Sequence, residues 1–402
     1  MKLPIMWDKI LLPKINVDLS KWAVVACDQY TSNPEYWEKL DTQVGDNPST
    51  LRLILPEVFL GKDDETRSKK IAAAMGEYVK GGIFDTVDDG VIVVERTTVS
   101  NGSTKKRKGI MLVVDLDAYS FKHEDKALIR ATEGTVIERL PPRAAVRAKC
   151  GLELPHIMLL VDDPKRTLIE PLVKAKGKEL YKTELNSGGG KISGKLVDGC
   201  KQAESALEKL LADSIKKYGE PLLFGVGDGN HSLAAAKMVY EQSGNPKSKY
   251  ALVEVVNIYD EGLEFEPIHR LIIGTKSKAL VDVLVAKLGV DTGAKAKHNL
   301  MCGKQKISLK FPSDAIEAVA KVQDILDDFV THNGGEIDYI HGEGDLEELC
   351  AKDSNSVGIL LPPMSKDALF EYVVKKGALP RKTFSMGEAY EKRYYLEARE
   401  IR

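Results

Sequence analysis

Cysteine is scarce: the five residues at 27, 150, 200, 302 and 350 are odd in number, widely scattered and without a Cys-x-x-Cys pair. That argues against a disulfide frame or a cysteine-built structural zinc site, and it predicts reduced thiols. No stretch approaches ~18 uninterrupted apolar residues, and Met1 to Trp7 lacks the apolar core of a signal peptide. No membrane span is expected, and a cytoplasmic location is. Charge of one sign is not in excess either: the net charge is -2 and the pI about 6.4. This disfavours an electrostatic grip on nucleic acid or on an anionic membrane. No internal repeat and no long linker is visible. What remains is an ordinary globular composition, 43% hydrophobic and 29% charged, over 402 residues. That length exceeds one ordinary core and predicts two or three lobes.

The most informative stretch runs from Leu222 to Lys237. Pro221 to Val226 is a short apolar run of the kind expected of a buried strand. Gly227, Asp228, Gly229 and Asn230 follow, and then an Ala-rich segment to Gln242 without a helix breaker. This predicts strand, glycine turn, helix, with Asn230 as the N-cap. Two glycines let a ligand approach the backbone, and a helix start favours an anion. Asp228 and His231 add an acid, or a metal ligand, and an imidazole. A tight connection without any ligand fits the same spacing.

Elsewhere the pattern predicts a buried strand over 21–27 ending at Asp28, and a helix starting at Ser32 to Glu35 with a first-turn proline. A helix is expected over 66–80 and a hairpin of 91–99 with 110–116, its tip carrying Lys105 to Lys108. Glu133 lies in a segment that Gly134 keeps from being comfortably helical. Arg139, Arg143 and Arg147 follow near Pro141 and Pro142; they suit a phosphate clamp or surface pairs with Glu138 and Glu153. The run 156–161 reads as a strand. Asn186 to Gly194 is glycine-rich but fails the Gly-x4-Gly-Lys-Ser/Thr pattern, so it reads as a turn between strands. A helix is expected over 201–218. A hairpin of 250–259 with 265–273 would carry His269, which could reach the pocket of His231 or be structural. Helices over 277–289, 314–332 and 365–376 and strands over 305–311, 336–341 and 356–362 suggest a C-terminal lobe from about 275. Residues 386–402 read as a charged amphipathic helix.

The stretch Gly227 to Ser232 resembles the Asp-Gly-His-His-Arg type of motif of the ParB/sulfiredoxin-like superfamily, which includes partition-type nucleotide hydrolases, sulfiredoxin and free serine kinases. Ser232 stands where the serine kinases place an arginine. The whole chain resembles more closely a bacterial family of unknown function, through Trp22 to Tyr30, Ile129 to Thr135 and Leu379 to Glu388 as well as the turn. The resemblance implies a mixed α/β fold in three parts: an N-terminal α/β lobe 1–125, a central ParB/sulfiredoxin-like nucleotide- or phosphate-binding region 126–274, and a C-terminal α/β lobe 275–402. It also points to Glu133 as the position of the catalytic base.

Together these readings suggest a nucleotide-dependent phosphotransferase acting on a small hydroxyl compound such as serine, with ATP or ADP and Mg²⁺. Glu133, Asp228 and His231 would carry the chemistry, with Asp228 a candidate metal ligand. Gly227, Gly229, Asn230, Ser232, Arg143 and Arg147 would hold the phosphates. A nucleotide-binding regulator without turnover and a phosphatase are the alternatives. No basic helix-turn-helix is present, so DNA binding is disfavoured, and a homodimer is compatible with the sequence.

Overall fold

In the computed structural model every residue is described except Met1, Asp28, Gln29, Thr31, Ser32, Asn101 and Lys295. Asp28, expected at a strand end, and Ser32, expected at a helix start, therefore lie outside the described residues. The fold is mixed α/β and divides into two compact units. The first comprises 1–263, 370–378 and 388–402, and the second 264–369 and 379–387.

The first unit is built on one ten-stranded sheet among the described residues. Its strands are β1 (Ile5–Met6), β2 (Val91–Ser100), β3 (Ser103–Asp115), β4 (Tyr119–Ser120), β5 (Ile129–Ala131), β6 (Met158–Val161), β7 (Lys178–Glu184), β8 (Lys191–Val197), β9 (Phe224–Asp228) and β10 (Tyr250–Asn257). Their order is β7-β8-β2-β3-β10-β6-β9-β5-β4, with β1 on β3. β5 and β9 run parallel, Ala131 beside Val226, whereas β6 and β9 are antiparallel.

Period-two alternation divides the side chains between the faces. Val91, Val93, Ile110, Leu112, Val253 and Val255 pack with residues of α-helices Ile169–Lys174, Cys200–Tyr218 and Asn230–Ser243. Ile92, Val94, Met111, Val113 and Leu252 face the other way, onto Leu11, Trp22, Leu53, Met75, Tyr394 and Leu396. Each aliphatic side chain fully buried this way contributes ~1.5–3 kcal/mol.

Several helices match expectation. Pro34–Val44 is capped by Asn33, whose side chain accepts from the Tyr36 amide, and Asp64–Lys80 and Cys200–Tyr218 lie where periodicity puts them. The segment 186–190 is a turn between β7 and β8 as expected, tied down by Arg96 donating to the Gly189 carbonyl.

Other expectations are corrected. Lys105 to Lys108 belong to β3 rather than to a loop tip; alternation turns Arg107 inward toward Glu254 and leaves Lys106 to pair with Glu95. Residues 19–22 form a short helix rather than the start of a strand, and the buried stretch after it pairs only as a bridge of Val24 with Tyr395 among the described residues. The expected hairpin of 250–259 with 265–273 does not form: β10 lies in the large sheet and Phe265–Ile273 in a different one. The tail is not an amphipathic helix. Arg393 through Arg399 are all buried, so no face is left for solvent, and the segment runs largely extended, ending as a strand at Arg399–Glu400.

The second unit is a sheet of Phe265–Ile273, Leu300–Cys302, Gln305–Ile307, Glu336–His341 and Val357–Ile359, joined by Phe384–Met386. Helices Ser277–Leu288 and Ala315–Asn333 cover it through Leu280, Leu284, Val322 and Leu326. His269 is structural here: its Nδ1 accepts from the Leu361 amide at 3.1 Å, and burial, helped by Arg270, pushes its pKa down to about 4. No described helix is long and apolar enough to cross a membrane.

Candidate functional site

β9 ends at Asp228, beside a bulge in its pairing with β6. Gly229 then takes a left-handed φ of 84°, and a Cβ there would lie 3.0 Å from Ile157 Cγ1 and 3.1 Å from Ile157 Cα. Both conformation and space demand glycine. Gly229, not Asn230, is the cap of the following helix. Asn230 is the first helical residue and is buried. Its Oδ1 accepts from the Thr132 amide at 3.3 Å and its Nδ2 donates to the Val226 carbonyl at 3.4 Å. The side chain is a staple between β5 and β9, which is why it does not cap. Asp228 Oδ1 accepts from the Gly229 amide at 2.8 Å. The first turn of a helix leaves its amides without intrahelical acceptors and carries a positive partial charge.

The parallel pairing of β5 with β9 brings Glu133 to this end of the sheet. Thr132 Oγ1 donates to the Val226 carbonyl at 2.6 Å, and the Val136 amide donates to His231 Nε2 at 3.2 Å. Glu133, half-buried, therefore sits between two anchors on the turn although almost a hundred residues separate them in sequence. The bond from Val136 requires an unprotonated Nε2, which leaves the proton of a neutral His231 on Nδ1.

Three participants escaped the sequence reading. Ser232 Oγ lies 3.3 Å from His156 Nε2, and His156 Nδ1 lies 2.7 Å from the Tyr395 hydroxyl. Tyr395 is in turn fixed by its amide, which donates to the Val24 carbonyl at 2.9 Å. Lys392 Nζ stands 3.5 Å from Asp228 Oδ2. Contacts thus link Val24, Thr132, Val136, His156, Lys392 and Tyr395 to the turn and to one another. Tyr30 stacks on Tyr36 at 3.7 Å, and burial, then Cys27, pushes its phenol up to about 12, so it is neutral at ordinary pH. His156 lies two residues ahead of β6 and Lys392 and Tyr395 lie in a tail that reads as a helix, so no local pattern marks them.

A family model described as protein of unknown function (DUF1015) matches residues 11–329. The chain belongs to this family. No curated protein matches it. Among solved structures, a free serine kinase variant in complex with ADP is 14% identical, covering 76% of this chain and 95% of its own at a TM-score of 0.41. A conserved hypothetical protein from Pyrococcus furiosus is 15% identical over 73% and 95%, at 0.38. SbnI with a C-terminal truncation, from Staphylococcus aureus, is 14% identical over 69% and 82%, at 0.39.

In this DUF1015 chain the arginines sit on or beside the helix Leu140–Arg147, which packs on the turn's helix through Ala144, Ala235 and Val239. Arg147 is engaged: Nη1 pairs with Glu153 at 2.5 Å and Nη2 donates to the Tyr250 carbonyl at 3.2 Å. Burial acts to raise the Glu153 carboxyl, but Arg147 and Arg399 more than offset it and hold it below the ordinary value. Arg143 Nη1 donates to the Arg139 carbonyl at 2.8 Å. Among the described residues no three His, Cys, Asp or Glu side chains are grouped to hold a metal ion. Mg²⁺ on a nucleotide needs only one or two carboxylates besides the phosphates, and Asp228 at the turn and Glu133, two residues past β5, are carboxylates.

Proposed function

We propose that this chain binds a nucleotide with its phosphates at the turn Gly227 to Ser232 and transfers a phosphoryl group to a small hydroxyl compound such as serine. The observation that carries this reading is the parallel pairing of β5 with β9, which sets a glutamate and an aspartate beside a glycine turn that opens a helix. Phosphoryl transfer needs chiefly positioning and charge neutralisation, and these groups supply both. The helix start and the backbone at Gly227 and Gly229 receive phosphate oxygens. Asp228 would hold Mg²⁺, which supplies neutralisation of phosphate charge when bound. Glu133 takes the proton of the acceptor hydroxyl as its oxygen bonds to the terminal phosphorus of ATP or ADP. The bond from that phosphorus to the bridging oxygen breaks, and the nucleotide leaves with the electron pair. His231, neutral and held by the Val136 amide, offers its Nδ1–H as a hydrogen-bond donor.

A thermal-shift panel of ATP, ADP, CTP and inorganic phosphate with Mg²⁺ tests the reading. It requires a nucleotide to raise the melting temperature. A nucleotide that binds but is never turned over makes the chain a regulator, and phosphate release without an acceptor makes it a phosphatase. No shift with any nucleotide ends the reading.

A further inference from the structure

We infer that Lys392, carried on the C-terminal segment, is the cation that grips the phosphates at the turn; this rests on the nucleotide reading of the same site. Four observations converge on it. First, its side chain is 13% exposed and its ammonium stands 3.5 Å from Asp228, at the end of β9 where the helix begins. A helix start repels a cation, so a lysine held there is poorly placed unless an anion lies between them. Asp228 is that anion in the free protein, one oxygen facing Lys392 and the other accepting from the Gly229 amide, and a phosphate at the turn would be a second.

Second, the backbone that carries Lys392 is fixed. Arg96, buried, donates from Nη1 to the carbonyls of Glu391 and Lys392 and from Nη2 to that of Tyr390. Most of a buried guanidinium's donors are spent on three consecutive carbonyls, which sets the ammonium's origin before any ligand arrives. Third, Tyr395, three residues on, is tied both to Val24 and to His156 beside Ser232. The segment is thus anchored on both sides of Lys392. Fourth, the arginines expected to clamp phosphate are engaged elsewhere, Arg147 with Glu153 and Arg143 with the Arg139 carbonyl. With phosphates and Mg²⁺ bound, Asp228 would be the side chain to hold the metal and Lys392 the one to hold phosphate oxygens. The ion pair seen in the free protein holds both side chains in place until then.

The test measures pyrophosphate and ATP affinity, each with Mg²⁺, by calorimetry on wild type, Lys392→Met and Lys392→Arg, with melting temperatures to confirm folding. A charge-assisted contact predicts a loss of about tenfold or more for pyrophosphate and ATP in Lys392→Met, with Lys392→Arg recovering most of it. Adenosine, which has no phosphate, serves as the control and must bind all three proteins alike. Pyrophosphate binding that Lys392→Met leaves unchanged overturns the role of Lys392 while sparing the nucleotide reading. Pyrophosphate held through Lys392 by a protein that binds no nucleotide supports the cation and overturns the nucleotide reading. A wild type that binds neither ligand overturns both.

Discussion

The charges under the C-terminal segment give a stability prediction worked directly from the structure. Glu254 is 1% exposed on β10 and lies between two arginines, 2.8 Å from Arg393 Nε and 3.7 Å from Arg107 Nε. Burial works against the charge on Arg393, yet Glu397 and Glu254 hold its pKa above the ordinary arginine value. A Cβ on Gly109 would fall 2.5 Å from Glu254 Oε1, so the carboxylate occupies the space that glycine leaves. Glu254→Gln preserves the shape and removes one charge, leaving two buried guanidinium groups short of a counter-ion. Removing one partner of a buried pair costs ~3–5 kcal/mol. Arg393 keeps Glu397 at 2.5 Å, which places this case toward the lower end, at ~3 kcal/mol. Urea unfolding at pH 7, followed by circular dichroism on both proteins, reads the difference. A loss under about 1 kcal/mol would show that water already reaches these charges and refute the reasoning.

Other changes have definite expected outcomes. Gly229→Val forces a β-branched residue into a left-handed φ, ~1–2 kcal/mol, and against Ile157, ~1–3 kcal/mol, so a clearly lowered melting temperature is expected and an unchanged one contradicts the turn geometry. Asp228→Asn still accepts from the Gly229 amide, so the melting temperature holds while turnover falls; equal turnover removes Asp228 from the chemistry. Burial lowers the folded-state pKa of His269 from 6.5 to about 4, so the unfolded chain binds the extra proton first. The associated stability is complete above pH 6.5 and is lost as pH falls toward 4, ~2–4 kcal/mol in all. Urea midpoints between pH 7 and 5 should show this slope, and His269→Gln should flatten it; the same slope in both proteins assigns it to other groups.

Much of the fold was legible in the sequence because it is written locally. Alternation in 91–99 and 110–116, the periodicity of 66–80 and 201–218, and the glycines around Asp228 each mark an element without reference to its partners. What eluded the pattern is long-range. Residues 250–259 and 265–273 look like a hairpin, but the first is claimed by β3 and β6, which lie far away in sequence. The tail has helical composition, but its residues are buried on all sides, and tertiary contacts override propensity there. The turn, Glu133 and His231 were visible as candidates for chemistry. Their juxtaposition follows from a parallel pairing that no local signal encodes. Asn230 was legible as important and misassigned in role, because a buried amide serves a cap and a strand staple equally well. His156, Lys392 and Tyr395 carry no motif and are recognised only through what they touch.

The central claim is that Glu133 acts on an acceptor hydroxyl at a nucleotide site. It is tested most directly by following ATP or ADP with L-serine and Mg²⁺ by phosphorus NMR, on wild type and Glu133→Gln. The account predicts a new phosphomonoester signal in wild type that requires the hydroxyl compound. In Glu133→Gln its rate should drop ~10²–10⁴-fold with nucleotide affinity nearly intact, since a base acts on the acceptor and not on the nucleotide. Equal rates in the two proteins would contradict it.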